Sequence, residues 1–329
     1  METTIAALTR YQVKNFFSEN NRPTQDQCDR YAAKATGKQP TATPVQGGSS
    51  YTVVGAELVV QFRAENAPLD LEFLRHVEKA YAGFVPWHTD SGKLGNLHVY
   101  MMRNVGGVSM YLARDSLYAN NCYLLRQTLL DFARFFASAW HNTPMAMPVP
   151  DRKWLYSEYL SDLKQLSTGL PKRFCPVLNG LIERLPYLLA LDWPLVANHI
   201  DLLENNIHAD TQTGTLAGVV DWAGAQVGSF GISLGGVENI LGIAKTDFSH
   251  EYHANHHELR ELFYKELHLA IWGGPASAEN RQRLEDARLI GLFFLNGWRY
   301  EGGTRAPARE GDASLCYLHC VLEATCDGY

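Results

Sequence analysis

Along the chain, apolar positions repeat with two different periods, and the change from one to the other divides the sequence. Residues 1–44 carry apolar side chains at helical spacing in two stretches, Ala6 to Asn20 and Gln25 to Thr36, with a break at Asn21-Arg22-Pro23. From residue 45 the period falls to two. Ser50 to Val54 and Leu58 to Arg63 read as strands, the second placing Leu58, Val60 and Phe62 on one face and Val59, Gln61 and Arg63 on the other. A helix is expected over Leu69 to Ala82, capped near Asp70, and Leu97 to Met102 reads as a further strand.

Asn104 to Gly107 supplies the glycines of a joint, after which helical spacing dominates. Helices are expected over Asn121 to His141, Leu155 to Leu166, Val177 to Leu191, Asn255 to Trp272, Ala278 to Trp298 and Ser314 to Thr325. Only short β runs interrupt them: Leu195-Val196, Ile207 to Ala209 and Thr215 to Val220, the last two joined by the turn residues DTQTG. The pattern predicts an α+β chain in three parts: a helical appendage (1–44), a strand-rich lobe (45–103) and a helical lobe (104–329).

Composition narrows the function classes. With 46% hydrophobic residues in 329, the chain can bury a large core, and a formal net charge of −6 leaves no basic excess for a nucleic-acid partner. Residues 236–329 hold 14 acidic against 9 basic side chains, which favours a cationic ligand if that part binds one. Six scattered cysteines without a C-x-x-C pair read as reduced thiols, and no apolar run is long enough to cross a bilayer. A cytoplasmic protein without a membrane partner is expected.

The chemistry concentrates between His199 and Asp221. His199, Asp201 and Asn206 form an H-x-D-x(4)-N run, and Asp221 follows across the expected hairpin. Pairing of antiparallel strands brings Asn206 and Asp221 together at its open end, with Asp201 in the loop feeding that end. Carboxylate and amide oxygens so gathered suit Mg²⁺ at Asn206 and Asp221, while Asp201 orients and deprotonates a nucleophile and His199 ties the loop down. The histidine-rich run His250 to Glu258 lacks the spacing of a metal-binding helix and is expected to be a polar loop.

This run, with Val219-Val220-Asp221-Trp222, resembles the catalytic loop and metal-binding strand of the aminoglycoside phosphotransferase and choline kinase family. The phrases GGSSYTVV, VVQFR, IDLLENNIH and VVDWAGA are similar to uncharacterised fungal members. The resemblance implies a two-lobed protein-kinase-like fold that transfers phosphate from ATP, with Mg²⁺, to a hydroxyl or amine of a small molecule, a secondary metabolite being a natural acceptor for a fungal member. Gly47, Gly48, Ser49 and Ser50 would cover the nucleotide and Met102 would border its base. Arg63 would contact phosphate, paired with Glu78 or, earlier on the same helix, Glu72; shifting the alignment by two residues selects Gln61 instead. Absence of D-F-G and A-P-E sequences sets the chain apart from protein kinases. The brace found downstream in relatives falls at Phe230 to Ser233, leaving Ser233 or Glu238 to replace it. Glu238, Trp298 and Tyr300 are the expected acceptor contacts, together with Trp272 and Glu301. Two alternatives remain: a non-catalytic binding protein on this scaffold, and an enzyme using the pocket for elimination or cyclisation.

Overall fold

The computed structural model describes residues 4–20, 23–245 and 249–326, with the side chains of 325 and 326 excluded; the expected break at Asn21 and Arg22 lies outside the described residues. Helices α1 (Thr4–Glu19) and α2 (Gln25–Thr36) come first, the second opened by a capping box between Thr24 and Gln27. Five antiparallel strands follow: β1 (Thr41–Ala42), β2 (Ser50–Gly55), β3 (Leu58–Arg63), then, after α3 (Leu71–Ala80), β4 (His88–Leu94) and β5 (Leu97–Arg103). Their order in the sheet is β1-β2-β3-β5-β4. Helix α3 starts where expected because the Asp70 side chain accepts the amide of Phe73.

Two hydrophobic cores result. Helices α1 and α2 cover the outer face of the sheet, where Phe16, Cys28 and Ala32 pack against Tyr51, Val60, Phe62 and Val99. The other face of β3 carries Val59, Gln61 and Arg63, as the alternation predicts. Helix α3 belongs to the larger core through Leu74, Val77 and Tyr81, and the Tyr81 hydroxyl donates to Ala197 O at 2.6 Å.

After β5 come β6 (Val108–Ser109), α4 (Met110–Leu117), α5 (Ala119–Asn142), α6 (Arg152–Gly169) and α7 (Cys175–Leu188). Helices α4 and α5 meet at a left-handed corner, with φ of 50°, 57° and 60° at Asn120, Asn121 and Cys122. Four short strands then frame the H-x-D-x(4)-N run and Asp221: β7 (Leu195–Asn198), β8 (Ile207–Ala209), β9 (Leu216–Val219) and β10 (Gln226–Ser229). A 3-10 segment (Ile232–Ile240), β11 (Gly242–Ala244), β12 (His250–Tyr252), α8 (His256–Trp272), α9 (Ala278–Asn296), β13 (Trp298–Glu301), β14 (Thr304–Pro307) and α10 (Ala313–Cys326) complete the chain.

The glycine joint is required sterically. Gly107 has φ of 58°, and a Cβ there would lie 2.6 Å from Ala209 O, where β6 pairs with β8. The strand-rich lobe joined to a helical lobe is the expected two-lobed kinase-like architecture, and among the described residues no helix is long and apolar enough to cross a membrane.

Candidate active site

Two antiparallel ribbons set the site. Strands β7 and β10 pair from Leu195↔Ser229 to Asn198↔Gln226, and β8 and β9 pair from Ile207↔Val219. The loop 199–206 joins β7 to β8, and the loop 220–225 joins β9 to β10. Both loops are therefore held at each end by a paired strand and run side by side. The amide of Val220 donates to Asn206 O at 2.9 Å, extending the β8/β9 pairing into the loops. The DTQTG turn closes the far end, with Asp210 Oδ1 accepting the amides of Gln212 and Thr213.

His199 is buried against Trp222 and spans the two loops. Its Nε2 donates to Val220 O at 2.9 Å, and its Nδ1 accepts the amide of Asp201 at 3.1 Å. This arrangement demands the neutral tautomer protonated on Nε2, and burial depresses the imidazole pKa accordingly. Asn206 Nδ2 donates to Asp201 O at 2.7 Å and lies 3.3 Å from Asp201 Oδ2. Solvent reaches Asp201 through the cleft mouth, but the walls displace enough of its hydration to raise its carboxyl pKa, with Asp221 adding to the rise.

Asp221 adopts φ of 63°, a left-handed conformation unusual for a residue other than glycine. Its carboxylate accepts no hydrogen bond from the described residues. Asp201, Asn206 and Asp221 line one cavity of about 480 Å³ between the lobes. The amide oxygen of Asn206 also accepts no hydrogen bond from the described residues, so two oxygen groups lining the cavity are available to a cation. One carboxylate and one amide fit Mg²⁺, which completes its shell with water and phosphate oxygens. Among the described residues no three His, Cys, Asp or Glu side chains form a metal cluster, the His250 to Glu258 run included.

Gly47, Ser50 and Met102 line the same cavity, whereas Gly48 and Ser49 do not. Gln46 anchors the covering loop by accepting the Thr52 amide and donating to Thr52 O and Thr43 Oγ1. On β3, Gln61 forms the wall and Arg63 lies behind it, only 6% exposed. Arg63 donates to Ala67 O and to Gln61 Oε1. Burial lowers its pKa and the charge of Asp221 opposes that.

Four sequence expectations require correction. Glu78 makes no ion pair with Arg63, whose guanidinium is turned toward Ala67, Gln61 and the Asp221 side of the cleft. Glu238 is fully buried, its carboxylate taken up by Arg260, Arg288 and Tyr252; it is an internal counter-ion and not an acceptor contact. Trp298 is buried beneath Arg305, and Tyr300 is exposed on the β13/β14 hairpin; neither reaches the cavity. A larger cavity, about 830 Å³ between α8 and α9, contains none of the H-x-D-x(4)-N or Asp221 side chains.

Several polar residues that the sequence does not single out also line the cavity. His88, on the polar edge strand β4, lines the cavity near Arg63 and Asp221, with its pKa lowered to about 4 chiefly by burial. Ser109, Asn205 and His208 also line it and each carries a buried polar atom with no partner among the described residues. The brace is divided: Ser233 donates from its amide and hydroxyl to Asn198 Oδ1, and Asn239 Nδ2 donates to Leu202 O. Both contacts flank His199 and Asp201. Within the loop, Glu204 is held by Arg114 and by the Tyr118 hydroxyl.

Two lobes with an acidic loop between them make a kinase-like fold. The sequence matches the phosphotransferase enzyme family over residues 51–262, more than half of the chain, and the protein belongs to that family. Among solved structures it is similar to a putative aminoglycoside phosphotransferase from Ralstonia eutropha, at 15% identity and TM-score 0.53, covering 84% of this chain and 92% of that one. It is also similar to a choline/ethanolamine kinase family protein from Mesorhizobium loti, at 17% identity and TM-score 0.51, covering 82% and 84%. No curated protein matches it significantly.

Proposed function

We propose that the protein transfers the γ-phosphoryl group of ATP, in a Mg²⁺-dependent reaction, to a hydroxyl group of a small molecule. The observation that carries this reading is the convergence of Asp201, Asn206 and Asp221 on one interlobe cavity. Mg²⁺ held by Asp221 and Asn206 would neutralise the charge of the phosphates.

Asp201 does the proton work. As the acceptor oxygen bonds to the γ-phosphorus, the bond to the bridging β–γ oxygen breaks and ADP leaves with that electron pair. The acceptor's proton passes to Asp201, whose raised pKa suits it to take a proton late in the step. His199 and Asn206 hold the loop so that this carboxylate need not reorganise. Gln61 offers an amide at the wall and Arg63 the charge behind it for the phosphates. Gly47 and Ser50 cover the nucleotide, and Met102 borders the adenine.

A second reading, a nucleotide-binding protein without turnover, is favoured by the lack of an Arg63–Glu78 ion pair. One experiment separates them. Asp201→Asn should lower kcat at least 10³-fold, within the range of general-base loss, while Mg-ATP still binds. Wild-type turnover that survives the substitution contradicts the assignment of the base, and a wild type that binds Mg-ATP without turnover selects the second reading.

A further inference from the structure

The charges around Asp201 define the acceptor, on the condition that the phosphotransferase reading above holds. Among the described residues, the only carboxylates lining the cavity are Asp201 and Asp221, and both are committed to the reaction. Two buried acids that hold the loop and its supporting segment already have counter-ions within the chain. Glu204, three residues beyond Asp201, is neutralised by Arg114, and Glu238 by Arg260 and Arg288. A cationic acceptor entering this cleft would lose hydration and find no free counter-charge.

Apolar surface stands where such counter-charges would be needed. Leu203 is 40% exposed and Leu112 41%, both lining the cavity with Val108 at 37%, while Ile200, beside Asp201, is 47% exposed. Exposed leucines scattered singly are ordinary, but Val108, Leu112 and Leu203 line the same cavity as Asp201 and offer it apolar surface that a ligand can remove from water. Neutral polar groups accompany them: the Ser109 hydroxyl and Asn205 Oδ1 are buried at the cavity without partners among the described residues.

We propose that the acceptor is an uncharged, predominantly apolar alcohol, its hydrocarbon part resting on Leu112, Leu203 and Val108 and its hydroxyl directed at Asp201. The product is its phosphate monoester, formed with ADP, and the hydroxyl proton goes to Asp201.

Primary alkanols from 1-butanol to 1-octanol test this, with choline and streptomycin as cationic alcohols, ADP release as the readout and Mg-ATP binding measured by calorimetry in parallel. The expected result is a kcat/KM that rises about three- to fourfold per methylene, with both cations at least tenfold poorer than 1-octanol. Leu203→Ser should flatten that slope, and Leu112→Asp should shift preference toward choline. A flat slope in the wild type, or cations turned over as well as alkanols, overturns the proposal. So does failure to phosphorylate either class while Mg-ATP binds, an outcome that leaves the nucleotide site intact. Absence of Mg-ATP binding instead removes the phosphotransferase reading and this proposal with it.

Discussion

His199 is neutral because both ring nitrogens are committed, one to Val220 O and the other to the Asp201 amide, and protonation would break the second bond. Burial also depresses His208 and His250, and takes His88 to about 4. In the unfolded chain these groups titrate near 6.5. Between the folded and unfolded values the unfolded chain binds more protons, so stability is complete above about pH 6.5 and declines as pH falls. Asp201 works in the opposite direction, but it stands against these four histidines and against His253, His256 and His268, which burial depresses likewise. Thermal melts should show a Tm roughly 5 °C lower at pH 5.0 than at pH 7.5; an equal or higher Tm at pH 5.0 contradicts the neutral assignment. That His199 and Asp201 share one loop was legible in the sequence from their spacing, and the His199 ring ties that loop to Val220 as expected. His88 was not: HTDSGKL has a polar composition that alternates weakly, and only pairing with β5 makes it a strand.

The 3-10 segment Ile232–Ile240 is the element on which the catalytic loop rests. Ser233 and Asn239 reach the loop on either side of Asp201, and Glu238 anchors the segment to α8 and α9 through Arg260 and Arg288. Burial opposes ionisation of Glu238, yet the two guanidinium groups outweigh it and hold its pKa below the usual range. Removing its charge leaves Arg260 buried without a carboxylate, while Arg288 keeps Glu285. Glu238→Gln should cost about 3 kcal/mol, a Tm loss of roughly 6 °C by scanning calorimetry, and a change below roughly 1 °C would show that the cluster does not anchor the segment. Sequence alone placed a brace near Ser233 but not its sharing with Asn239, because the contact joins segments 37 residues apart. The sequence pattern does not single out the β13/β14 hairpin although a signal is present: Gly302 and Gly303, with φ of 55° and 80°, form a two-residue turn, and the helix expected as far as Trp298 ends at Asn296, so that Trp298 opens β13.

At the scale of the whole molecule, the lobes leave a gap whose two walls differ in kind. The upper wall, from β2, β3 and β5, offers Gln61, Met102 and a cation held back behind them. The lower wall offers the loop oxygens and, beside them, aliphatic side chains. Motif spacing brought Asp201, Asn206 and Asp221 to the lower wall. Glu238, Trp298 and Tyr300, conspicuous in sequence, lie in the protein interior or on the surface away from the cavity, while Leu112 and Leu203, which line it, carry no motif at all.

The central claim is that Asp221 and Asn206 form the cation site on which nucleotide binding depends, and titration calorimetry with Mg-ATP tests it most directly. Asp221→Asn keeps a residue that tolerates the left-handed backbone while removing the charge. The account predicts one Mg-ATP bound per wild-type chain and binding weakened at least tenfold, about 1.4 kcal/mol, in the variant. Equal affinity of the two proteins would contradict it.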